Sequence, residues 1–315
     1  MKQKANTFTA ALFGLAFMVF SSSSYAGCSW WNWWKCYTET RYPIVLSHGF
    51  LGFDSLLGVV DYWPGIVDRL EDGGATVFVS QVSNINSSEA RGEQLIEQIE
   101  NFLAISGASK VNIIGHSQGG LDARYVASVR PDLVASITTV GSPHTGGVGD
   151  SFGGGDDPIV TGLISALGDL IGVLSGNGND NNAAAAVQGF TAAGTAAFNA
   201  NYPIGLPTSP CGSGPGVVNV GGHDIRIYSW GGTSVLTNAL DPSDVIMGVT
   251  SLLVGGDNDG LVARCDNHLG TVLRDNYRHN HLDLTNLMFG LTPLFESDPK
   301  SVFRAHANRL KNAGL

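Results

Sequence analysis

Apolar positions along this chain follow two rhythms. The first is a set of short aliphatic runs. Ile44, Val45 and Leu46 mark a strand over 42–47, residues 76–82 alternate as a second strand, and Val111, Ile113 and Ile114 form a third. Residues 136–140 and 225–230 supply two more. The second rhythm is helical. It covers 62–70, 86–104, 121–129 and the closing segment 299–311. In 86–104, Leu95, Ile99, Phe102 and Leu103 share a face, and Asn86 followed three residues later by Glu89 predicts a capped start. Strands alternating with helices predict an α/β fold with a mostly parallel sheet covered on both faces.

The rhythm changes after Gly141-Ser142-Pro143-His144. Residues 146–155 are glycine-rich, and Asp157 with Pro158 predicts a helix start. Ile159, Leu163, Leu167, Leu170, Ile171 and Leu174 follow at helical spacing, with Thr161, Ser165 and Asp169 opposite. Two readings fit this segment equally: a mobile lid over an apolar cleft, or a plain core helix. Residues 177–186 are low in complexity and read as a loose connection. There are no internal repeats and no second-domain boundary, so residues 27–315 are expected to form a single domain.

The first 26 residues stand apart. Lys2 and Lys4 precede a nearly unbroken apolar run over 8–20, and Ser24-Tyr25-Ala26 has the form of a cleavage site. This predicts a signal peptide cut after Ala26 and a secreted, extracellular protein. An alternative is a lipid anchor on Cys28, since Ala26-Gly27-Cys28 fits the end of a lipobox. The formal charge of the 315-residue chain is −10, and loss of Lys2 and Lys4 lowers it to −12. That balance argues against nucleic acid or an anionic membrane as partner. Export makes disulfides available to the four cysteines, Cys28, Cys36, Cys211 and Cys265. Three pairings exist, and Cys28 with Cys36 plus Cys211 with Cys265 is the favoured one. The second bridge would stabilise by about 4 kcal/mol on a chain-entropy model. The segment 28–36, CSWWNWWKC, is either a stapled hairpin packed on the body, the favoured reading, or an aromatic patch that meets lipid or polymer.

The chemistry centres on KVNIIGHSQGG, residues 110–120. A buried strand, then Gly115-His116-Ser117-Gln118-Gly119, then a helix is the layout of a nucleophile elbow. With 42 glycines in the chain, G-x-S-x-G alone means little, and it is the strand before and helix after that carry the signal. A serine hydroxyl needs an imidazole to take its proton and a carboxylate to orient that imidazole. In this layout the chain order is serine, acid, histidine. Asp259, in a loop of Asp, Asn and Gly, is the favoured acid, with Asp257 and Asp241 as alternatives. His281, in a late polar loop, is the favoured base, with His268 and then His306 behind it. The glycine-broken loop His48-Gly49-Phe50-Leu51-Gly52 follows an early strand, where an oxyanion hole draws a second backbone N–H.

At the level of whole segments, YPIVLSHGFLGFD, EARGEQL, VNIIGHSQGG, RYVA, VRPDL, DNDGLV, LGTVLRDNYRHNHLD and HANRLKNAGL resemble the true lipases of the Pseudomonas and Burkholderia type, over residues 42–315. The resemblance implies an α/β-hydrolase fold and hydrolysis of triacylglycerols at a lipid–water interface. It implies a triad of Ser117, Asp259 and His281, and an oxyanion hole from the backbone N–H groups of Phe50 and Gln118. It implies one structural Ca2+ on the carboxylates of Asp241 and Asp283 and the main-chain oxygens of Leu287 and Leu291, with no organic cofactor. The family often has Gln where this chain has Leu287. The family bridge maps to Cys211 and Cys265, the lid to 157–175, and a periplasmic foldase is the implied folding partner. An esterase, phospholipase or polyester hydrolase on the same triad is the nearest alternative, and a non-catalytic lipid-binding module a more distant one.

Overall fold

The structure is a computed structural model that describes residues 33–52, 55–56, 60–148, 150, 181–241, 243–287 and 290–315. Its strands, labelled here in chain order, are β1 (Ile44–Ser47), β2 (Val77–Val79), β3 (Val111–His116), β4 (Val134–Val140), β5 (Val217–Val220), β6 (His223–Gly232) and β7 (Thr271–Tyr277). A separate two-residue ribbon pairs Ser55–Leu56 with Val60–Asp61. The helices are α1 (Ile66–Glu71), α2 (Ser88–Ser106), α3 (Gln118–Val129), α4 (Ala183–Gly189), α5 (Ala192–Asn201), α6 (Ser243–Val254) and α7 (Pro299–Asn312).

The strands form one seven-stranded sheet in the order β2-β1-β3-β4-β6-β5, with β7 also paired to β6. Every pairing is parallel except that of β5 with β6. β1 and β3 are buried at every position, as the interior of a doubly covered sheet requires. Their side chains alternate between two cores. Val45, Val111 and Ile113 face α2 and α3 through Leu95, Ile99 and Val126. Ile44, Leu46 and Ile114 face the other side, where Trp63, Leu70, Trp230 and Phe303 pack.

The expected α/β architecture holds, and the elements differ in detail. α2 is capped by Ser87, whose side chain accepts from Ala90 N–H at 3.3 Å. Asn86, the expected cap, instead accepts from Ser87 N–H at 2.9 Å, one residue too early to close the first turn. The helix expected over 62–70 is confined to α1, because Gly65 takes a left-handed φ of 67° just before it. Tyr62 and Trp63 are therefore buried in a turn. The stretch expected to be loose contains α4, which Asn182 caps through Ala185 N–H at 3.0 Å. Cys211 and Cys265 form a disulfide with their Cα atoms 4.5 Å apart. Cys36 is also disulfide-bonded, while Cys28, the expected leader 1–26 and the segment 157–175 lie outside the described residues.

Candidate active site

The elbow forms because β3 and α3 meet with almost no connecting chain. Ser117 alone links them, at φ 54° and ψ −124°, a conformation rarely open to a residue with a side chain. Two glycines make the turn possible. A Cβ on Gly115 would lie 2.1 Å from Gly119 O, and one on Gly119 would lie 2.3 Å from Ser47 O. Backbone bonds hold the strain, with Ser117 N–H donating to Val140 O at 2.9 Å and Gly120 N–H to Ser117 O at 3.1 Å. Gln118 opens α3, where the first N–H groups have no acceptor within the helix.

Asp259 and His281 come together across the sheet's C-terminal edge. His281 Nδ1 donates to Asp259 Oδ2 at 2.8 Å, and its backbone N–H donates to Asp259 O at 2.7 Å. Leu261 N–H and Val262 N–H donate to Asp259 Oδ1 at 3.0 and 2.8 Å, so both carboxylate oxygens are engaged. A carboxylate can only accept from Nδ1–H, which leaves Nε2 of the neutral ring as the basic nitrogen. The pair lies beside the elbow. The ring of His116, the residue before Ser117, is 4.6 Å from that of His281. A Cβ on Gly141, next to the residue that accepts Ser117 N–H, would lie 3.1 Å from Asp259 Oδ2.

The glycine loop after β1 lies on the other flank of Ser117. Gly49 N–H donates to Tyr62 Oη at 3.1 Å, Leu51 N–H to Asn84 O at 2.8 Å and Gly52 N–H to Gly49 O at 3.1 Å. Phe50 N–H, between Gly49 and Leu51, has no acceptor among the described residues. The loop is braced from below by Arg91. Its Nη2 donates to His48 O at 2.6 Å and its Nε to the buried Asp122 carboxylate at 2.8 Å.

The alternatives are engaged elsewhere. His268 sits between Gly212 O and Asp275, and His306 is buried against Thr138 Oγ1 at 2.7 Å. Asp257 is exposed and pairs with Arg264 at 3.6 Å. Asp241 and Asp283 are both buried, and each keeps one carboxylate oxygen, Oδ2 and Oδ1 respectively, without a hydrogen-bond partner. Burial pushes Asp283 up to about 7, and the neighbouring Asp241 and Asp244 carboxylates push in the same direction. Among the described residues, no three His, Cys, Asp or Glu side chains cluster as metal ligands, so any ion here would need main-chain oxygens as well.

Sequence reasoning did not anticipate Tyr62, His116 or Arg91 at this site. Serine-before-histidine chain order points away from His116, which precedes Ser117, and Arg91 is a polar position on an otherwise apolar helix face.

A parallel sheet, a nucleophile elbow and an acid–histidine pair on later loops define a hydrolase of the α/β type, and residues 42–159 match the alpha/beta hydrolase fold family. A triacylglycerol lipase of Vibrio cholerae is 50% identical over 310 residues, covering 96% of this chain and 98% of that one. A triacylglycerol lipase of Pseudomonas fragi is 39% identical over 294 residues, covering 88% and 98%. Among solved structures, the Staphylococcus hyicus lipase superposes with a TM-score of 0.58 at 16% identity, covering 87% of this chain and 98% of that one, a likeness of fold. The chain belongs to the bacterial triacylglycerol lipase family of the α/β-hydrolase fold.

Proposed function

We propose that this chain hydrolyses the carboxylic ester bonds of water-insoluble acylglycerols through Ser117, His281 and Asp259. The observation that carries the reading is the His281–Asp259 bond beside a strained, glycine-flanked serine. Ser117 Oγ attacks the ester carbonyl while His281 Nε2 takes its proton, and Asp259 holds the ring and offsets the imidazolium charge. Backbone N–H groups of Phe50 and Gln118 stabilise the oxyanion. His281 then protonates the leaving alcohol, and water releases the fatty acid from the acyl-enzyme by the same steps in reverse. Replacing Ser117→Ala should abolish turnover of long-chain p-nitrophenyl esters in a folded protein. Full retained activity would overturn the reading.

The apolar surface of α6 supports an insoluble substrate over a soluble ester. Val245, Ile246, Val249, Leu252 and Leu253 form an exposed stripe on one helix, and Leu240 and Leu236 extend it. The helix is tied to the site, since Asn280 Nδ2 donates to Asp244 Oδ1 at 2.9 Å, one residue before His281. Rates on emulsified triolein against soluble short esters separate the lipase from an esterase, phospholipase or polyester hydrolase.

The unpartnered oxygens of Asp241 and Asp283 fit a hard cation. In this reading those carboxylates and the main-chain oxygens of Leu287 and Leu291 hold one Ca2+. Bound there, it supplies positive charge that ties the 283 loop, and with it His281, to the 241 loop. Export through the leader 1–26, a lid over 157–175 and assistance by a periplasmic foldase complete the proposal. Refolding yield with and without such a foldase tests the last of these.

A further inference from the structure

The two halves of the proposed catalytic machinery are joined by a buried chain of hydrogen bonds that the ester chemistry itself does not use. Gly49 N–H donates to Tyr62 Oη at 3.1 Å. Tyr62 Oη lies 2.6 Å from His116 Nδ1. His116 Nε2 lies 3.0 Å from the backbone oxygen of His281. Chemistry settles every direction along it. A carbonyl oxygen only accepts, so His116 carries its proton on Nε2 and donates to His281 O. Nδ1 is then bare and accepts the Tyr62 hydroxyl proton. Burial holds His116 well below the ordinary histidine range and holds the Tyr62 phenol protonated, so neither partner leaves this arrangement near neutral pH.

We propose that Tyr62 and His116 are positioning residues that lock the oxyanion loop at Gly49 to the backbone of His281. The proposal rests on the Ser117, His281 and Asp259 reading. Three features point to positioning and not to packing alone. First, His281 is already fixed at its ring and its N–H by Asp259, and His116 supplies the third anchor, at the carbonyl. Second, the far end of the chain is the residue before Phe50, whose N–H must meet the oxyanion. A Cβ on Gly49 would lie 2.7 Å from Ser117 Cβ, so this loop is seated directly on the nucleophile. Third, all donors point the same way, and each bond polarises the next. The neutral state of His116 also matters. Its ring is 4.6 Å from that of His281, which must become a cation during the reaction, and a second cation at that distance would oppose it.

Soluble p-nitrophenyl butyrate assays on the purified chain test this with four variants. Tyr62→Phe keeps the ring that packs on Trp63 and removes only the hydroxyl. It should lower kcat about tenfold with KM within twofold of wild type and an almost unchanged Tm. His116→Leu should lower kcat about a hundredfold. His116→Gln, which carries an amide donor close to the Nε2 position, should recover a large part of that loss. Adding Tyr62→Phe to His116→Leu should cost nothing further, because the chain is already broken. Wild-type kcat in Tyr62→Phe, equal losses in His116→Gln and His116→Leu, or additive losses in the double variant would each overturn the proposal. So would losses that only follow Tm. Ser117→Ala, run alongside, separates the two claims. If it is inactive while Tyr62→Phe is unimpaired, the locking role alone fails, and if it keeps full activity, the triad reading fails and takes this proposal with it.

Discussion

Gly49 has no room for a methyl group. A Cβ there would meet Ser117 Cβ at 2.7 Å, Tyr62 Oη at 3.0 Å and His116 O at 3.2 Å, and neither Ser117 Cβ nor His116 O can retreat without moving the elbow. Replacing Gly49→Ala should therefore displace the proposed oxyanion loop from Ser117. A misplacement of about 1 Å costs on the order of a hundredfold in rate, so kcat/KM on p-nitrophenyl butyrate should fall by about that factor, while circular dichroism stays native. A variant within threefold of wild type would show that the loop does not sit where the structure puts it. At this scale the sequence was unevenly legible. Ser117 could be read because its constraint is local: two residues on either side, glycine is the residue that fits. Asp259 and His281 followed from chain order and from resemblance, and their meeting is a tertiary fact that periodicity does not encode. Tyr62 was misread as helical, since nothing nearby shows that its hydroxyl is held by a histidine 54 positions away.

The elements of the central sheet were legible for a related reason. β1, β3 and β4 are buried at every position, so each appears as a mostly apolar or small-residue run, with Asn112 and His116 the exceptions in β3. The elements that escaped notice lie at the edges. β7 carries Arg274, Asp275 and Asn276, and its polar positions hide the strand. α5 is alanine-rich and buries only Phe198, so it shows little amphipathic signal. α6 breaks the rule outright, with aliphatic residues facing out and Asp244 facing in. That inversion is costly in water and useful at a lipid surface. The paired change Val249→Asp and Leu252→Asp should cut adsorption to a triolein emulsion, and activity on it, by at least tenfold, with p-nitrophenyl butyrate turnover kept within twofold. Equal losses on both substrates would remove α6 from the interface. The neighbouring loops make a separate prediction. Asp283 is pushed from 3.8 to about 7, so between those values the folded chain keeps a proton that the unfolded chain has released. Without an ion, that group's contribution to stability is lost as pH rises through the window. A bound Ca2+ reverses the effect, and protons compete with it. The Tm increment on adding calcium to EDTA-treated protein should be several degrees at pH 8 and shrink towards zero near pH 5. A pH-independent increment, or none, would rule out this pair of carboxylates as the site.

Across the whole molecule, buried histidines set the acid limit. Burial lowers His48 and His306 to about 3 and His279 to about 4, and holds His116 and His144 well below the usual 6.5. In each, the folded state refuses a proton that the unfolded chain accepts, so stability is intact above 6.5 and is lost as pH falls below it. At pH 5 the cost is about 2 kcal/mol for each of His48, His279 and His306, in total a large share of the stability of a typical domain, and His116 and His144 act in the same direction. Asp122 and Asp283, both pushed up to about 7, act in the opposite sense and offset part of this. Unfolding near pH 5.5 should therefore take up about two to three protons, and Tm should drop steeply between pH 6 and 4.5. His306 offers a clean check, because it makes none of the bonds that hold Ser117, Asp259 or His281 and bonds Thr138 Oγ1 through a nitrogen that an amide can replace. His306→Gln should reduce the proton uptake by about one and flatten the acid limb of Tm, with turnover at pH 8 unchanged. A Tm that stays level from pH 7 to 5, or an acid limb as steep in His306→Gln as in the wild type, would place the source of acid lability elsewhere in the chain.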